Sequence, residues 1–166
     1  MNIIETERLI ICQLTVEDKE FIFELLNTPS WLKFIGNKNI NSIEDAENYI
    51  LNVPMKSYEK FGFGLYMTKL KDDTPIGICG LIKRGVLEDV DLGFAFLPEY
   101  EGKGYAFEAA SAVMTYAKSI LGLEKIVAIT NPDNIASIKL LKKIGFELKN
   151  TIKLSQDDNE IMLFSI

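Results

Sequence analysis

Histidine is absent from this 166-residue sequence. Its absence removes the Ser-His and Cys-His nucleophile arrangements together with the commonest zinc ligand. Any proton chemistry must therefore rest on carboxylates, hydroxyls, lysines, the backbone or water. Cysteine is scarce as well: the two present, Cys12 and Cys79, sit in apolar, strand-like runs. Two such residues make neither a disulfide scaffold nor a metal-ligand cluster, so both read as small core residues and no bound metal is expected. No apolar run approaches the roughly 20 residues that a membrane span needs, and the opening Met-Asn-Ile-Ile-Glu-Thr-Glu-Arg has neither a basic n-region nor an apolar h-region. Positive charge is in deficit, with 18 Lys and Arg against 24 Asp and Glu for a net charge of -6. That balance argues against general affinity for nucleic acid or an anionic membrane and suits a cationic partner. The expectation is a cytoplasmic protein, monomer or homodimer, with neither nucleic acid nor membrane as partner.

What is present is an ordinary globular composition, 48% apolar and 25% charged, in a length that suits one domain spanning residues 1–166. Arg8 to Leu14 reads as a strand. A capping box at Thr15 and Asp18 then opens a helix carrying Phe21, Ile22, Leu25 and Leu26, which Asn27-Thr28-Pro29 stops. A second helix starts at Ser42. From Gly62 to Arg84 the pattern becomes a hairpin, followed by a strand from Val90 to Phe96. Alternation along that strand puts Val90, Leu92, Phe94 and Phe96 on one face and Asp91, Gly93 and Ala95 on the other. Ala106, Ala109, Ala110, Val113, Met114 and Ala117 recur at helical spacing. A strand at Lys125–Thr130, a helix from Asn134 to Lys143 stopped by Gly145, and two final strands complete the order β-α-α-β-β-β-α-β-α-β-β. The predicted class is α/β (α+β), with about four helices and a six- to seven-stranded sheet.

The chemistry concentrates where the strand ending at Phe96 feeds Leu97-Pro98-Glu99-Tyr100-Glu101-Gly102-Lys103-Gly104-Tyr105 and then a helix. A glycine-rich loop opening a helix aims unpaired backbone N–H groups at one point, which suits a pyrophosphate, and Lys103 can add a charge from the side. A tight turn that merely needs glycines is the competing reading. A P-loop is excluded, because Gly104 follows Lys103 where Ser or Thr is required and the leading glycine is missing. A dinucleotide fingerprint is weak, since Phe107 stands at the third glycine position.

The stretch from Asp91 to Ala109 resembles the acetyl-CoA-binding motif of the GNAT N-acetyltransferases. Asn131-Pro132-Asp133-Asn134-Ile135-Ala136-Ser137, continuing to Phe146, is similar to the second motif of the branch that acetylates ribosomal-protein N-termini (RimJ/RimL-like). Glu5-Thr6-Glu7-Arg8-Leu9 fits that branch too. The resemblance implies a mixed, mostly antiparallel GNAT sheet that splays after the fourth strand, with pantetheine lying between the strands that end at Phe96 and Thr130. It implies acetyl-CoA as cosubstrate, held by backbone groups near Phe96 and Leu97 and by the loop of Gly102, Lys103, Gly104, Tyr105 and Ala106. The family usually has Gln or Arg where this chain has Glu101, and a carboxylate near phosphates repels them.

Transfer of an acetyl group to an amine needs a neutral amine, a polarised thioester and a stabilised or protonated thiolate. Asn134 and Ser137, at a helix start, are candidates for the thiol end; an N-cap and a solvated first-turn residue are their structural alternatives. Asp91 is the candidate base, and a buried structural carboxylate is its alternative. Glu108 reads as a surface or helix-packing residue. With no activating partner for either cysteine, direct attack in a ternary complex is favoured over an acyl-cysteine route. The acceptor is a small-molecule or peptide amine, and Trp31, Phe34, Tyr49, Phe61 and Phe63 are either its apolar wall or core residues. A catalytically idle acyl-CoA-binding regulatory module is the function of a different class that the same motifs permit.

Overall fold

The computed structural model describes residues 1–166 and gathers eight strands into one mixed sheet. In chain order the elements are β1 (Asn2–Glu5), β2 (Leu9–Gln13), α1 (Lys19–Leu26), α2 (Pro29–Phe34), α3 (Ile43–Asn52), α4 (Pro54–Phe61), β3 (Leu65–Leu70), β4 (Pro75–Ile82), β5 (Val90–Phe96), α5 (Tyr105–Ser119), β6 (Ile126–Thr130), α6 (Ile135–Ile144), β7 (Glu147–Ile152) and β8 (Ile161–Ser165). The sheet runs β1-β2-β3-β4-β5-β6-β8-β7. Neighbours are antiparallel except β5 and β6, which are parallel and meet only at Val90↔Ile126 and Asp91↔Val127. Beyond those two pairs β5 stays with β4 as far as Phe96, while β6 follows β8 as far as Thr130. The sheet therefore opens into a wedge after its fifth strand, the one expected as the fourth.

Each face of the sheet carries its own core. On one, Ala109, Ala110, Val113, Met114 and Ala117 of α5 pack with Val90, Leu92 and Phe96 of β5, and α6 adds Leu141. Alanine at the helix contact lets α5 lie close to the sheet; a Leu at Ala110 would overpack it at a cost of about 1–3 kcal/mol. On the other, α1, α2 and α3 bury Ile22, Leu25, Trp31 and Ile50 against Cys12, Met67 and Leu97. Ala95 borders this second core and Phe94 the first, so the alternation expected along β5 holds.

Three elements depart from the expected order. Eight strands replace six to seven because Asn2–Glu5 pairs with β2; with only Ile3 and Ile4 apolar, its signal is too short for alternation to register, and its partner supplies the hydrogen bonds. Six α-helices replace four. α1 stops at Asn27 as expected, but Pro29 then opens a further helix, α2, where its missing N–H is no loss, and Thr28 caps it by accepting from the Trp31 N–H. Pro54 opens α4 in the same way, and Gly62 closes it at φ +79.

Candidate active site

At the mouth of the wedge the β5–α5 loop turns sharply through Gly102 at φ +74 and Gly104 at φ +84. A left-handed residue here favours glycine, since a Cβ crowds the neighbouring carbonyl. Gly104 is the N-cap of α5 and brings no side-chain cap. The N–H groups of Tyr105, Ala106 and Phe107 thus lack intrahelical acceptors, and no loop carbonyl or side chain takes them. Three donors and the positive end of a 15-residue helix converge on one side of the opening.

The second helix start is finished differently. Asn134 caps α6 by accepting the Ser137 N–H on its Oδ1 at 3.2 Å. The Ser137 hydroxyl, half-buried, has no partner within the protein. A cavity of about 420 Å³ joins the two helix starts, and Phe96, Gly102, Gly104, Tyr105, Ala106, Asn134 and Ser137 all line it. Leu97 and Lys103 do not. Leu97 is buried in the second core, its N–H donating to Ile76 O at 2.9 Å and its carbonyl accepting from Tyr100. Because backbone groups alternate along a strand, Leu97 facing β4 turns the N–H and C=O of Phe96 toward the opening instead. Lys103 is exposed, with its Nζ 5.8 Å from the Tyr100 ring centre and its carbonyl bonded to Arg8.

The remaining walls were only partly legible. Trp31 and Phe34, named from the sequence, do line the cavity, as does Ile35 just past the end of the same short helix; Tyr49, Phe61 and Phe63 do not. Trp31 is also a core residue, 4% exposed, and its Nε1–H has no partner. Lys139 and Lys143 of α6 bring positive charge to the rim. Their spacing of four was visible, but which face of α6 meets the opening was not. Glu101 stands on the lip, where partial burial pushes its carboxyl up.

Asp91 lies apart from this cavity, in the closed end of the wedge. It is 1% exposed and accepts from Arg84 Nε at 2.8 Å. Burial raises its affinity for a proton and outweighs the opposing pull of the Arg84 and Lys83 charges. Glu108 is the unforeseen contact. Far from being a plain surface residue, it binds Thr6 and Arg8 more than 90 positions earlier in the chain. Nothing in local sequence could show that pairing.

Comparison with known proteins identifies the class to which this splayed mixed sheet, with a glycine-opened helix at its mouth, belongs. The sequence model of the acetyltransferase (GNAT) domain matches residues 8–147. The chain is 32% identical over 152 residues to the N-acetyltransferase YoaA of Bacillus subtilis, covering 91% of this chain and 86% of that protein. It is 36% identical over 138 residues to the spermidine N(1)-acetyltransferase of Escherichia coli, covering 82% and 71%. The fold superposes on RimL, an alpha-N-protein acetyltransferase solved in complex with coenzyme A, with a TM-score of 0.85 at 15% identity over 100% of this chain and 97% of that one. The chain belongs to the GNAT acetyltransferase family and is an enzyme of the N-acetyltransferase class.

Proposed function

We propose that this enzyme, acting as one domain in the cytoplasm, moves an acetyl group from acetyl-CoA to a primary amine by direct attack in a ternary complex. The observation that carries this reading is the uncapped start of α5 facing Ser137 across one cavity, at the only place where the sheet parts. A pyrophosphate fits the first feature, since the N–H groups of Tyr105, Ala106 and Phe107 lack acceptors and two glycines leave the approach clear. Phe96 offers the edge of β5 to an extended amide chain such as pantetheine. Lys103, outside the cavity lining, contributes positive charge on the outer side of the loop, and Leu97 holds the β5 edge in register. Asn134 holds the start of α6, which sets the direction of the Ser137 hydroxyl.

In the reaction the amine nitrogen bonds to the acetyl carbonyl carbon, the carbon–sulfur bond breaks, and the sulfur leaves as thiolate. Ser137 donates its hydroxyl hydrogen toward that sulfur as charge develops there. Asp91 takes the proton lost by the amine through intervening water, because its carboxylate is buried apart from the cavity and held by Arg84. The acceptor is a small-molecule amine or a peptide N-terminus, the amine classes named for the spermidine enzyme and RimL. Incubating the protein with acetyl-CoA and a panel of polyamines, simple amines and peptides, while following free thiol, tests the proposal. Amine-dependent thiol release is the expected result. Tight coenzyme A binding with no thiol release from any member would leave a binding module instead.

A further inference from the structure

The segment Glu5-Thr6-Glu7-Arg8-Leu9 takes no part in the chemistry above, yet it reaches the loop on which that chemistry depends. Arg8 lies between β1 and β2 and makes four contacts with the β5–α5 region. Its Nε meets Glu108 Oε2 at 2.6 Å and its backbone N–H meets Glu108 Oε1 at 2.9 Å. Its Nη1 donates to Lys103 O at 3.1 Å, and its guanidinium stacks 4.5 Å from the centre of the Tyr105 ring. Thr6 Oγ1 adds a third anchor point on Glu108 at 2.7 Å. Arg8 Nη2 comes within 3.3 Å of where a Gly104 Cβ would stand. One side chain therefore touches or abuts Lys103, Gly104, Tyr105 and Glu108 in succession.

We propose that Arg8, tied down by Glu108 and Thr6, is a positioning residue that holds the Lys103–Tyr105 loop in its phosphate-accepting conformation. The inference rests on the acetyl-CoA reading of the site. Its physical basis is geometric rather than energetic. The Arg8 side chain is 43% exposed, so the ion pair adds little to folding. A guanidinium, however, can bridge a carboxylate and a carbonyl in one plane while covering an aromatic ring. That bridge fixes a two-glycine loop whose freedom would otherwise be lost on binding. Glu108 is itself kept ionised: burial pushes its carboxyl up, but the Thr6 hydroxyl, the Arg8 amide and the Arg8 guanidinium outweigh this and hold it below its ordinary value.

The test is calorimetric binding of coenzyme A and, by displacement, of pantetheine, which lacks the phosphates. Wild type, Arg8→Ala, Glu108→Ala and the double variant are compared. Each single change should weaken coenzyme A by about tenfold, and the double change by little more than either, because both break one bridge. Pantetheine affinity should move by less than about twofold. Should Arg8→Ala not fold, Arg8→Lys keeps the charge but cannot span Glu108 and Lys103 O together, and it should weaken coenzyme A several-fold with an unaltered Tm. Equal losses for coenzyme A and pantetheine, or a coenzyme A affinity within about twofold of wild type, would overturn the proposal. A wild-type protein that binds pantetheine as tightly as coenzyme A would overturn the phosphate reading of the loop itself, and this proposal with it.

Discussion

Two helices begin at the same cavity and are finished in opposite ways. α5 starts on a left-handed glycine with no side-chain cap, so three backbone donors stay free. α6 starts on Asn134, whose Oδ1 takes up the Ser137 N–H. The first start leaves backbone groups for an anion; the second spends its cap on the helix and leaves a side-chain hydroxyl. The difference separates binding from chemistry. An uncapped end is tolerable only where something else meets its donors, whereas a capped end is a rigid mount for a group that must point one way.

Gly104→Val is the harshest way to break this contrast. The φ of +84 is forbidden ground for a β-branched residue, and the new side chain would meet Arg8 within 3.3 Å at its Cβ. Coenzyme A affinity should fall by more than about 10²-fold by calorimetry while circular dichroism still reports a folded protein. Unchanged affinity in a folded variant would remove the α5 start from the site. Ser137→Ala attacks the other helix start. If its hydroxyl supports the departing sulfur, kcat should drop by about 10²-fold with coenzyme A affinity nearly constant, because the interaction strengthens only as charge develops. A kcat within a few-fold of wild type, measured where chemistry limits the rate, would take the proton away from Ser137.

Asn134→Ala sharpens the comparison from the stability side. Losing a cap should cost about 1 kcal/mol, a fall in Tm of roughly 2–4 °C in thermal unfolding. A larger loss of kcat than the Ser137 change would show that Asn134 does more than hold the helix. The smallest effect concerns Glu108. A carboxyl held below its ordinary value contributes stability that is complete above about pH 4.3, its unfolded value, and is lost as the pH falls through the lower folded value. Wild type should therefore melt above Glu108→Gln at neutral pH, with the two curves converging in acid. A gap in Tm that does not change with pH would mean that the charge on Glu108 is irrelevant to its contacts.

Local periodicity and end signals made most elements legible: the alanine face of α5, the Asn134 cap with Gly145 closing α6, and the alternation of β5 are all visible in single stretches of sequence. So was the glycine loop, because glycine most readily accepts the left-handed turn at Gly102 and Gly104. The stop of α1 before Pro29 was legible, but the new helices that Pro29 and Pro54 begin were not, since the surrounding apolar residues are too few to show a period. Other features depend on contacts distant in sequence. That β5 and β6 pair for two residues and then part is settled by β8, which draws β6 away. That Asp91 ends in the closed end of the wedge against Arg84, and Glu108 against Thr6 and Arg8, follows from where the sheet brings remote segments. Helix and strand signals are local because backbone hydrogen bonding and side-chain period act over a few residues. The site is assembled from chain ends and loop mouths, and only tertiary packing decides which of those meet.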